Sequence, residues 1–590
     1  METARDAKSF TWRKENMPLT ADKAKSPNGS GPKTKTDTEA TETGEAPSSV
    51  KASGQALPYR NAPAGMLRPE VPTNDPIRSF EAGSDATRGL QGCLDDLFSQ
   101  RFELPAIIGG QRVHTDKTFE GVLPHDHHHV LATVHAAGAS EVRAAIDAAA
   151  EAATSWSSMP WEERVTVFLR AANLAAGSWR DNLVAATMLG QSKTAAEAEG
   201  DIAELVDFFR FNVAAMLDMF EHQPISTTTA LNRVDYRPLE GFVFAVTPFN
   251  FTSIAGNLPC APALLGNTVV WKPASVATLP AHFIMCLLEE AGLPAGVINL
   301  FYGRGADIGP TVLQDRNLAG IHFTGSTSTF QEMWSEVGTN IARYRSYPRL
   351  VGETGGKGFV LVHPSADTRQ VVNALLAGAF GYQGQKCSAA TRLYVPGAMW
   401  PEIRERLEAG IDQLVVGDVR DFATDLGAVI DAAAFERHSV AIAGAGTEPD
   451  TRVVIGGSVD AETGYFVHPT VVETGDINCR LLREELFGPI LTVHSYRDGA
   501  FDDIVDVVDR TSPYALTGAV FATDRGALSG ALARLRYAAG NVYANEKPTG
   551  AVVGQQPFGG ARASGTNDKA GTVWNLIRWS SPRTIKDRLA

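Results

Sequence analysis

The sequence has few cysteines, no long apolar run and no excess of positive charge. Its five cysteines among 590 residues are odd in number and form no Cys-x-x-Cys pair. This argues against a disulfide framework or a structural zinc site and predicts a reducing compartment. The best candidate for a membrane span, residues 241–256, is interrupted by Pro248 and Asn250, so no membrane partner is expected. The net charge of −14 argues against nucleic acid as a partner as well.

Large apolar residues are scarce at the N-terminus. The first fifty residues contain eight basic and eight acidic side chains and are rich in Lys, Thr, Ser, Ala and Pro. A segment of this composition cannot bury enough apolar surface to offset the entropy of ordering, so we predict a disordered tail over residues 1–70. Transit peptides are Arg-rich and poor in acidic residues. The balanced charge therefore predicts a cytoplasmic protein.

After residue 71 the sequence becomes regular. Apolar residues recur at helical spacing in segments 141–156, 163–179 and 190–220, which predicts helices. Short apolar runs then alternate with helical segments, and the runs that predict buried strands are 241–246, 268–272, 296–302, 320–323 and 359–363. A second alternating region covers residues 369–536. Alternation at this spacing predicts an α/β fold with two lobes, each built on a doubly wound parallel sheet.

Ligands bind at the carboxyl ends of parallel strands, so the loops that follow the predicted strands are the segments to examine. These loops, with three motifs further along the chain, are Thr-Pro-Phe-Asn-Phe at 247–251, Lys-Pro-Ala-Ser at 272–275, Thr-Gly-Ser-Thr at 324–327, Gly-Glu-Thr-Gly-Gly-Lys at 352–357, Gly-Gln-Lys-Cys-Ser at 384–388, Glu-Glu-Leu-Phe-Gly-Pro at 484–489 and Gln-Pro-Phe-Gly-Gly at 556–560. Each motif alone is weak evidence, because a lone buried cysteine is usually inert and a lone Glu beside glycines is usually part of a turn.

In this order and with these gaps, the motifs resemble the aldehyde dehydrogenase superfamily from about Leu104 to the C-terminus. The resemblance implies a cofactor lobe, a catalytic lobe and a small β extension for oligomerisation, in a homodimer or a higher homo-oligomer. The domains expected after the tail are residues 71–352 with N-terminal helices and the NAD-binding domain, including an oligomerisation hairpin at 224–240; 353–548 with the catalytic domain; 549–568 with a substrate anchor loop and return segment; and 569–590 with an oligomerisation strand.

Aldehyde oxidation needs a soft nucleophile that adds first, so that a tetrahedral intermediate can expel hydride. A cysteine thiolate suits this role, and we predict that Cys387 is the nucleophile. The resemblance implies that the Asn250 side-chain amide and the Cys387 backbone N–H stabilise the oxyanion. It also implies that Glu353 is the base that activates water to hydrolyse the thioester.

The resemblance further implies NAD as the cofactor, although Gly303-Arg304-Gly305 does not complete a Gly-x-Gly-x-x-Gly motif. Lys272 is expected at the adenosine ribose, and Glu485 and Phe487 at the nicotinamide ribose and ring. The other expected cofactor contacts are Thr247, Ser275, Gly325, Ser326, Thr327, Ser328 and Thr329, the last five at the pyrophosphate. Many NAD-preferring relatives carry Glu where this chain has Ser275. That Glu would repel a 2′-phosphate, so NADP is less excluded here.

Four strings resemble one branch of that superfamily, whose members are Δ1-pyrroline-5-carboxylate dehydrogenases: residues 71–76, 204–211, 248–252 and 549–568. The branch oxidises L-glutamate γ-semialdehyde to L-glutamate, the second step of proline degradation. The α-carboxylate of this substrate needs donors, which Gly550, Ala551, Ser388 and Lys386 could supply. Glu204 is expected to face the α-ammonium, and Phe251 and Phe558 to contact the aliphatic part.

Two alternatives remain open at this level: a dehydrogenase of another carboxylated semialdehyde, such as succinate semialdehyde, and a catalytically silent protein on the same scaffold. A separate proline dehydrogenase is the expected transient partner. The histidines at 125 and 127–129 suggest metal binding, but neighbours on an extended segment point to opposite faces, so no metal site is expected. Segment 573–581 is predicted to be a late strand whose exposed tryptophans contact another subunit.

Overall fold

The alternating strands and helices form two seven-stranded sheets within residues 67–589, the part of the chain that the computed structural model describes. The predicted tail lies almost entirely outside these residues. The α-helices are α1 Asp85–Phe98, α2 Ala139–Ser158, α3 Trp161–Ala176, α4 Arg180–Gln191, α5 Ala195–Glu221, α6 Thr252–Leu264, α7 Thr278–Glu290, α8 Gly305–Leu313, α9 Thr327–Thr339, α10 Thr368–Leu375, α11 Trp400–Ile411, α12 Ala432–Ala445, α13 Phe501–Thr511, α14 Arg525–Arg534 and α15 Val573–Leu576. None of these helices combines the length and apolar character needed to cross a bilayer.

The strands are short, as expected for buried parallel sheets. They are β1 Phe102–Leu104, β2 Ala106–Ile108, β3 Gln111–Val113, β4 Thr118–Leu123, β5 Asp126–His135, β6 Ala230–Pro238, β7 Phe242–Val246, β8 Thr268–Lys272, β9 Ile298–Leu300, β10 Leu318–Thr324, β11 Arg349–Glu353, β12 Gly358–Val362, β13 Ala390–Pro396, β14 Thr451–Ile455, β15 Val459–Asp460, β16 Phe466–Val467, β17 Thr470–Thr474, β18 Ile490–Tyr496, β19 Tyr514–Ala515, β20 Thr517–Phe521, β21 Asn541–Ala544, β22 Ala561–Arg562 and β23 Ser580–Arg588.

The first sheet has the strand order β11-β10-β7-β8-β9-β2-β3. The strands from β11 to β9 are parallel, and β2 and β3 extend the edge in antiparallel pairing. Side chains of β7 alternate between two apolar cores, with Val243 and Ala245 in one and Phe244 in the other. A strand that is buried on both faces appears in the sequence as a continuous apolar run, which is why these strands could be predicted.

The second sheet has the order β14-β17-β18-β13-β12-β20-β21, parallel except for the edge strand β14. Its strand β12 likewise divides its side chains between two cores, with Val360 in one and Leu361 in the other. Two parallel sheets with helices packed against them match the predicted fold class. The run at 359–363 belongs to this second sheet rather than to the first.

A two-stranded ribbon stands apart from both sheets. Strands β6 and β23 pair antiparallel over their full lengths, from Ser580 opposite Pro238 to Arg588 opposite Ala230. The predicted hairpin at 224–240 is therefore wrong in one respect: β6 pairs with β23, near the C-terminus, instead of with a strand inside that segment.

The prediction of a strand over residues 573–581 is wrong for most of its length. Helix α15 begins after Thr572, whose side chain accepts a hydrogen bond from the Trp574 N–H, and the strand starts only at Ser580. Leu576 and Trp579 are fully buried, whereas Trp574 is 62% exposed. Apolar residues three positions apart are typical of a helical turn, and this spacing outweighed the loose alternation that suggested a strand.

Candidate active site

Two loops from the carboxyl edge of the first sheet meet one segment of the second lobe. Asn250 lies in the loop after β7, and its side-chain amide donates a hydrogen bond to the Gln385 carbonyl at 3.0 Å. Glu353 is the last residue of β11, and the loop that follows it approaches the backbone of Cys387. The three predicted catalytic residues are thereby brought together at the strand ends, where parallel sheets bind their ligands.

The segment before Cys387 has an unusual backbone. Tyr382, Gln383 and Gly384 have φ angles of 51°, 53° and 64°, in the left-handed region that tyrosine and glutamine rarely adopt. The Tyr382 hydroxyl donates to the Gln191 carbonyl at 2.9 Å, and the Gln383 side-chain amide donates to the Ser192 carbonyl at 3.0 Å. These hydrogen bonds to the end of α4 hold the conformation. Strain of this kind persists only where the surroundings impose it, and it clusters at functional sites.

Two glycines let the loop after β11 reach the cysteine. A Cβ atom on Gly356 would lie 2.0 Å from the carbonyl oxygen of Cys387, and one on Gly355 would lie 2.2 Å from Glu485 Oε2. The Gly356 N–H donates a hydrogen bond to Glu485 Oε1 at 2.6 Å. Only glycine permits this approach of backbone to backbone, so the two positions determine how near Glu353 comes to the thiol.

The electrostatics of the site favour neutral groups. Burial raises the pKa of the Cys387 thiol, and the carboxylates of Glu485 and Glu353 raise it further. Burial also raises the pKa of Glu353 well above its ordinary value, although the Gly560 N–H donates to its Oε2 at 2.8 Å. The pKa of Glu485 is raised to about 7 by burial. The thiol therefore needs a proton acceptor when it attacks, because its surroundings do not stabilise a free thiolate.

Three predicted cofactor residues lie at the ends of β7 and β8. Burial lowers the pKa of Lys272 to about 8, and among residues 67–589 its ammonium has no hydrogen-bond or ion-pair partner. The Thr247 hydroxyl accepts a hydrogen bond from the Trp271 indole at 3.0 Å, and the Ser275 hydroxyl donates to the Gly303 carbonyl at 3.3 Å. A half-buried cation without a partner fits a ligand rich in hydroxyl groups, such as a ribose.

The N-terminus of α9 supplies the next group of cofactor residues. The Ser326 hydroxyl caps this helix by accepting from the Thr329 N–H at 3.2 Å, and the Ser328 hydroxyl lies 3.3 Å from it. Gly325 precedes the cap, and Thr327 is the first helical residue. Backbone N–H groups and the helix dipole attract anions here, which suits a pyrophosphate.

Phe487 is held in a left-handed conformation, with φ of 60°. Its ring packs edge-on against Phe249, with ring centroids 5.7 Å apart. Phe249 follows β7, and Phe487 comes two residues after Glu485. The strained backbone thus places the Phe487 ring against Phe249, and the nearby Glu485 carboxyl comes close enough to Cys387 to raise the pKa of its thiol.

A glycine-containing loop forms the opposite side of the site. The Thr549 hydroxyl lies 2.7 Å from the hydroxyl of Ser388, the residue after the cysteine. Gly550 follows with φ of 83°, and within the described residues the N–H groups of Gly550 and Ala551 have no hydrogen-bond acceptor. Two successive free N–H groups in a turn form an anion-binding concavity.

The two charged residues predicted to contact the substrate have partners within the protein. The Lys386 ammonium forms an ion pair with Glu197 at 2.9 Å, so its charge is paired with a carboxylate of α5. The Ser253 hydroxyl donates to Glu204 Oε2 at 2.7 Å. Burial raises the pKa of Glu204 to about 7, and the nearby Asp201 carboxylate also raises it.

The two predicted aromatic contacts differ in their surroundings. The Phe251 ring faces a buried cation, with Lys193 Nζ 4.2 Å from its centroid. Phe558 is partly buried, and its carbonyl accepts from the Ala570 N–H at 3.0 Å.

Residues 112–585 match the model of the aldehyde dehydrogenase family. The chain belongs to this family. It is 44% identical over 521 residues to the mitochondrial Δ1-pyrroline-5-carboxylate dehydrogenase of Dictyostelium discoideum, covering 88% of this chain and 93% of that protein. The crystal structure of the Mycobacterium tuberculosis Δ-pyrroline-5-carboxylate dehydrogenase bound with NAD is 50% identical, with a TM-score of 0.86 and coverage of 89% and 98%. Proline utilization A from Bdellovibrio bacteriovorus is 28% identical, with a TM-score of 0.82, covering 88% of this chain and 54% of that one.

A buried ion pair in this family member was missed by the sequence analysis. Lys193 Nζ lies 2.7 Å from Asp201 Oδ2, and both side chains are fully buried. Asp201 also accepts the N–H groups of Thr252 and Ser253 at 2.8 and 2.9 Å, at the start of α6. This helix begins directly after Phe251, so the pair fixes the loop that carries Asn250. Sequence spacing carried no signal for it, because the partners belong to different elements.

Glu103, His114 and His135 have possible metal-ligand atoms within 4.8 Å of one another. The Thr115 N–H donates to His135 Nδ1 at 2.9 Å. The Thr115 carbonyl oxygen lies 2.8 Å from the same nitrogen, and Glu103 Oε1 lies 2.5 Å from His135 Nε2, so both ring nitrogens already have hydrogen-bond partners within the protein. Among the neighbouring histidines at 127–129, the ring of His127 stacks on Tyr465.

Proposed function

We propose that this chain oxidises L-glutamate γ-semialdehyde, formed from Δ1-pyrroline-5-carboxylate, to L-glutamate with NAD, in the second step of proline degradation. The observation that carries the proposal is the loop fastened beside the nucleophile by Thr549 and Ser388, because it presents the free N–H groups of Gly550 and Ala551. A carboxylate bound there would hold a short aldehyde chain with its reactive end at Cys387. The names of the relatives point to the same substrate.

The first half of the reaction is addition to the aldehyde. The Cys387 sulfur attacks the carbonyl carbon, and its proton passes to a carboxylate, for which the nearby Glu353 is suited. The Asn250 amide and the Cys387 backbone N–H stabilise the oxyanion of the resulting thiohemiacetal. Expulsion of hydride then converts the thiohemiacetal to a thioester on the sulfur. NAD, when bound, accepts this hydride.

The second half is hydrolysis of the thioester. Once the proton taken from the thiol has passed on to solvent, the ionised Glu353 removes a proton from water, which attacks the thioester carbonyl. The sulfur leaves as a thiolate and takes up a proton, and the carboxylic acid is released. The raised pKa of Glu353 makes it a stronger base than an exposed carboxylate. A carboxyl group with this property can serve both halves, as proton acceptor for the thiol and then for water.

The residues present fit NAD. Lys272 supplies a half-buried cation for a ribose, without a partner among residues 67–589, and α9 supplies its N-terminus for the pyrophosphate. Ser275 takes the position at which a carboxylate would repel a 2′-phosphate, and its hydroxyl exerts no such repulsion. We therefore expect NAD to be the preferred cofactor and NADP to support some turnover, measured as kcat/KM for each.

We also propose a homodimer or a higher homo-oligomer, supported by the separate two-stranded ribbon of β6 and β23. The outer edge of β6 is bonded in part by the side chains of Gln223 and Ser226, whereas the outer edge of β23 has no strand partner within the described residues, and an open edge of this kind favours pairing with another subunit. The expected transient contact with a separate proline dehydrogenase and the cytoplasmic location stay predictions. The likeness to part of the longer proline utilization A chain supports the first of them.

The experiment that tests the function is formation of NADH by the purified protein. Δ1-pyrroline-5-carboxylate, succinate semialdehyde and propanal would be compared in wild type, Cys387→Ala and the control Cys93→Ala, which removes a thiol far from the site. We expect the highest kcat/KM with the first substrate, lost in Cys387→Ala and kept in Cys93→Ala. Turnover of succinate semialdehyde or propanal alone would contradict the substrate assignment, and NADH formation by Cys387→Ala would contradict the nucleophile.

A further inference from the structure

An extended N-terminal segment, residues 71–80, lies against the loop that is proposed to bind the substrate carboxylate. We call it the strap. The Asn74 side-chain amide donates to the Val553 carbonyl at 2.8 Å, and the Gln555 side-chain amide donates back to Asn74 Oδ1 at 2.8 Å. Asn74 thus uses both its donor and its acceptor on one short turn of the loop.

The strap is itself held firmly by α4 and α5. The Asn74 amide donates a second hydrogen bond to Asp207 Oδ2 at 2.8 Å, and the Asp75 N–H donates to Asp207 Oδ1 at 2.7 Å. The Asp75 carboxylate forms ion pairs with Arg180 at 2.8 Å and Arg210 at 2.9 Å. Asn74 is therefore a fixed point against which the loop is positioned.

The loop has its second attachment at its other end, where Thr549 meets Ser388. Between the two attachments lie Gly550 and Ala551, whose N–H groups lack acceptors in the described part of the chain. A loop held at both ends keeps these two groups aimed at one place, and ordering before the ligand arrives reduces the entropy lost on binding.

We infer that Asn74 is a positioning residue for substrate recognition: it fastens the far end of the anchor loop so that the Gly550 and Ala551 N–H groups are preorganised for the substrate carboxylate. Asn74 touches neither the cysteine nor the cofactor residues. Its effect is thus confined to substrates that carry a carboxylate at the right distance from the aldehyde. The inference rests on the proposed function for the identity of that substrate.

The test compares KM values for Δ1-pyrroline-5-carboxylate and propanal in wild type, Asn74→Ala and Gln555→Ala. Loss of two hydrogen bonds to the loop should raise KM for the carboxylated substrate about tenfold in Asn74→Ala, with kcat changed by less than about twofold and the kinetics with propanal nearly unaltered. Gln555→Ala should raise KM less, and in the Asn74→Ala background it should add almost nothing, because its partner is already gone. Thr73→Ala, an exposed position on the same strap, is the matched control.

A second measurement does not depend on the substrate. Amide hydrogen exchange of residues 549–556 should be faster in Asn74→Ala than in wild type and Thr73→Ala. If wild type oxidises propanal but not Δ1-pyrroline-5-carboxylate, the proposed function fails while exchange still tests the strap. Equal KM changes for both aldehydes, or unchanged exchange in the loop, would overturn the inference. If Asn74→Ala fails to fold, Gln555→Ala, which removes an exposed side chain, carries the same test.

Discussion

At the scale of single residues, the site is defined by groups whose pKa values are shifted from their ordinary values. The Cys387 thiol, the Glu353 carboxyl and the Glu485 carboxyl all have raised pKa values, and burial is the largest cause in each case. The charges of the two carboxylates raise the pKa of the thiol further, because a nearby negative charge disfavours a second one. Catalysis then depends on which of them is ionised when substrate arrives.

Glu353→Gln should slow both halves of the reaction, since Glu353 is the proposed proton acceptor for the thiol and then for water. Glutamine cannot accept a proton from water, so steady-state turnover should fall by about 10²–10⁴-fold. The pre-steady-state rate of NADH formation should fall too, because glutamine cannot accept the thiol proton either. In wild type the acid limb of kcat should lie well above pH 4.5, since the pKa of this base is raised. Unchanged turnover in Glu353→Gln would contradict its role.

Glu204→Gln should change how stability depends on pH. The folded-state pKa of Glu204 is about 7, above its ordinary value of 4.5, so the folded protein binds a proton that the unfolded chain has lost between these pH values. Wild type therefore loses stability from this group as pH rises from about 4.5 to about 7, and Gln cannot titrate. In urea unfolding, the free energy of unfolding of the variant should increase relative to that of wild type between about pH 5 and about pH 8. A difference that stays constant with pH would contradict the raised pKa.

At the scale of elements, short loops between regular strands place the reacting groups. Gly356→Ala should displace the loop after β11, because its Cβ would lie 2.0 Å from the Cys387 carbonyl oxygen. We expect a loss of activity of at least about tenfold, from misplacement of Glu353 relative to the thiol. The control Gly92→Ala, in the exposed middle of α1 with open space around its Cβ, should raise the unfolding free energy by about 0.5–1 kcal/mol and keep activity. Full activity in Gly356→Ala would contradict the close approach.

The buried strands were predictable because each is a continuous apolar run between turn residues. The run at 268–272 coincides with β8, and 241–246 differs from β7 by one residue. The left-handed turn at Tyr382 and Gln383 could not be predicted, because its conformation is imposed by carbonyls almost two hundred positions earlier in the chain. The same holds for the Lys193–Asp201 pair: its role at the start of α6 comes from packing between elements, which a single sequence does not display.

At the scale of the whole molecule, the ribbon of β6 and β23 is a two-stranded sheet separate from the two large ones. Leu231 on β6 is 52% exposed, an apolar side chain on a strand edge. Leu231→Asp should reduce the oligomer to a smaller species in light scattering, because a carboxylate there would have to be buried at a subunit contact. Thr584→Asp places the same charge on the opposite face of the ribbon and serves as the control. A monomeric wild type, or equal masses for the two variants, would contradict the proposed oligomer.

The hydrogen bond between Asn74 and Val553 joins positions 479 residues apart. A nascent chain emerging from the ribosome therefore carries the strap long before the loop that it contacts has been made. Contacts of such separation form late, because the closure entropy of the intervening chain must be overcome first. Recognition of a carboxylated substrate therefore arises only after residues 549–556 have left the ribosome, although the strap is among the first of the described residues to emerge.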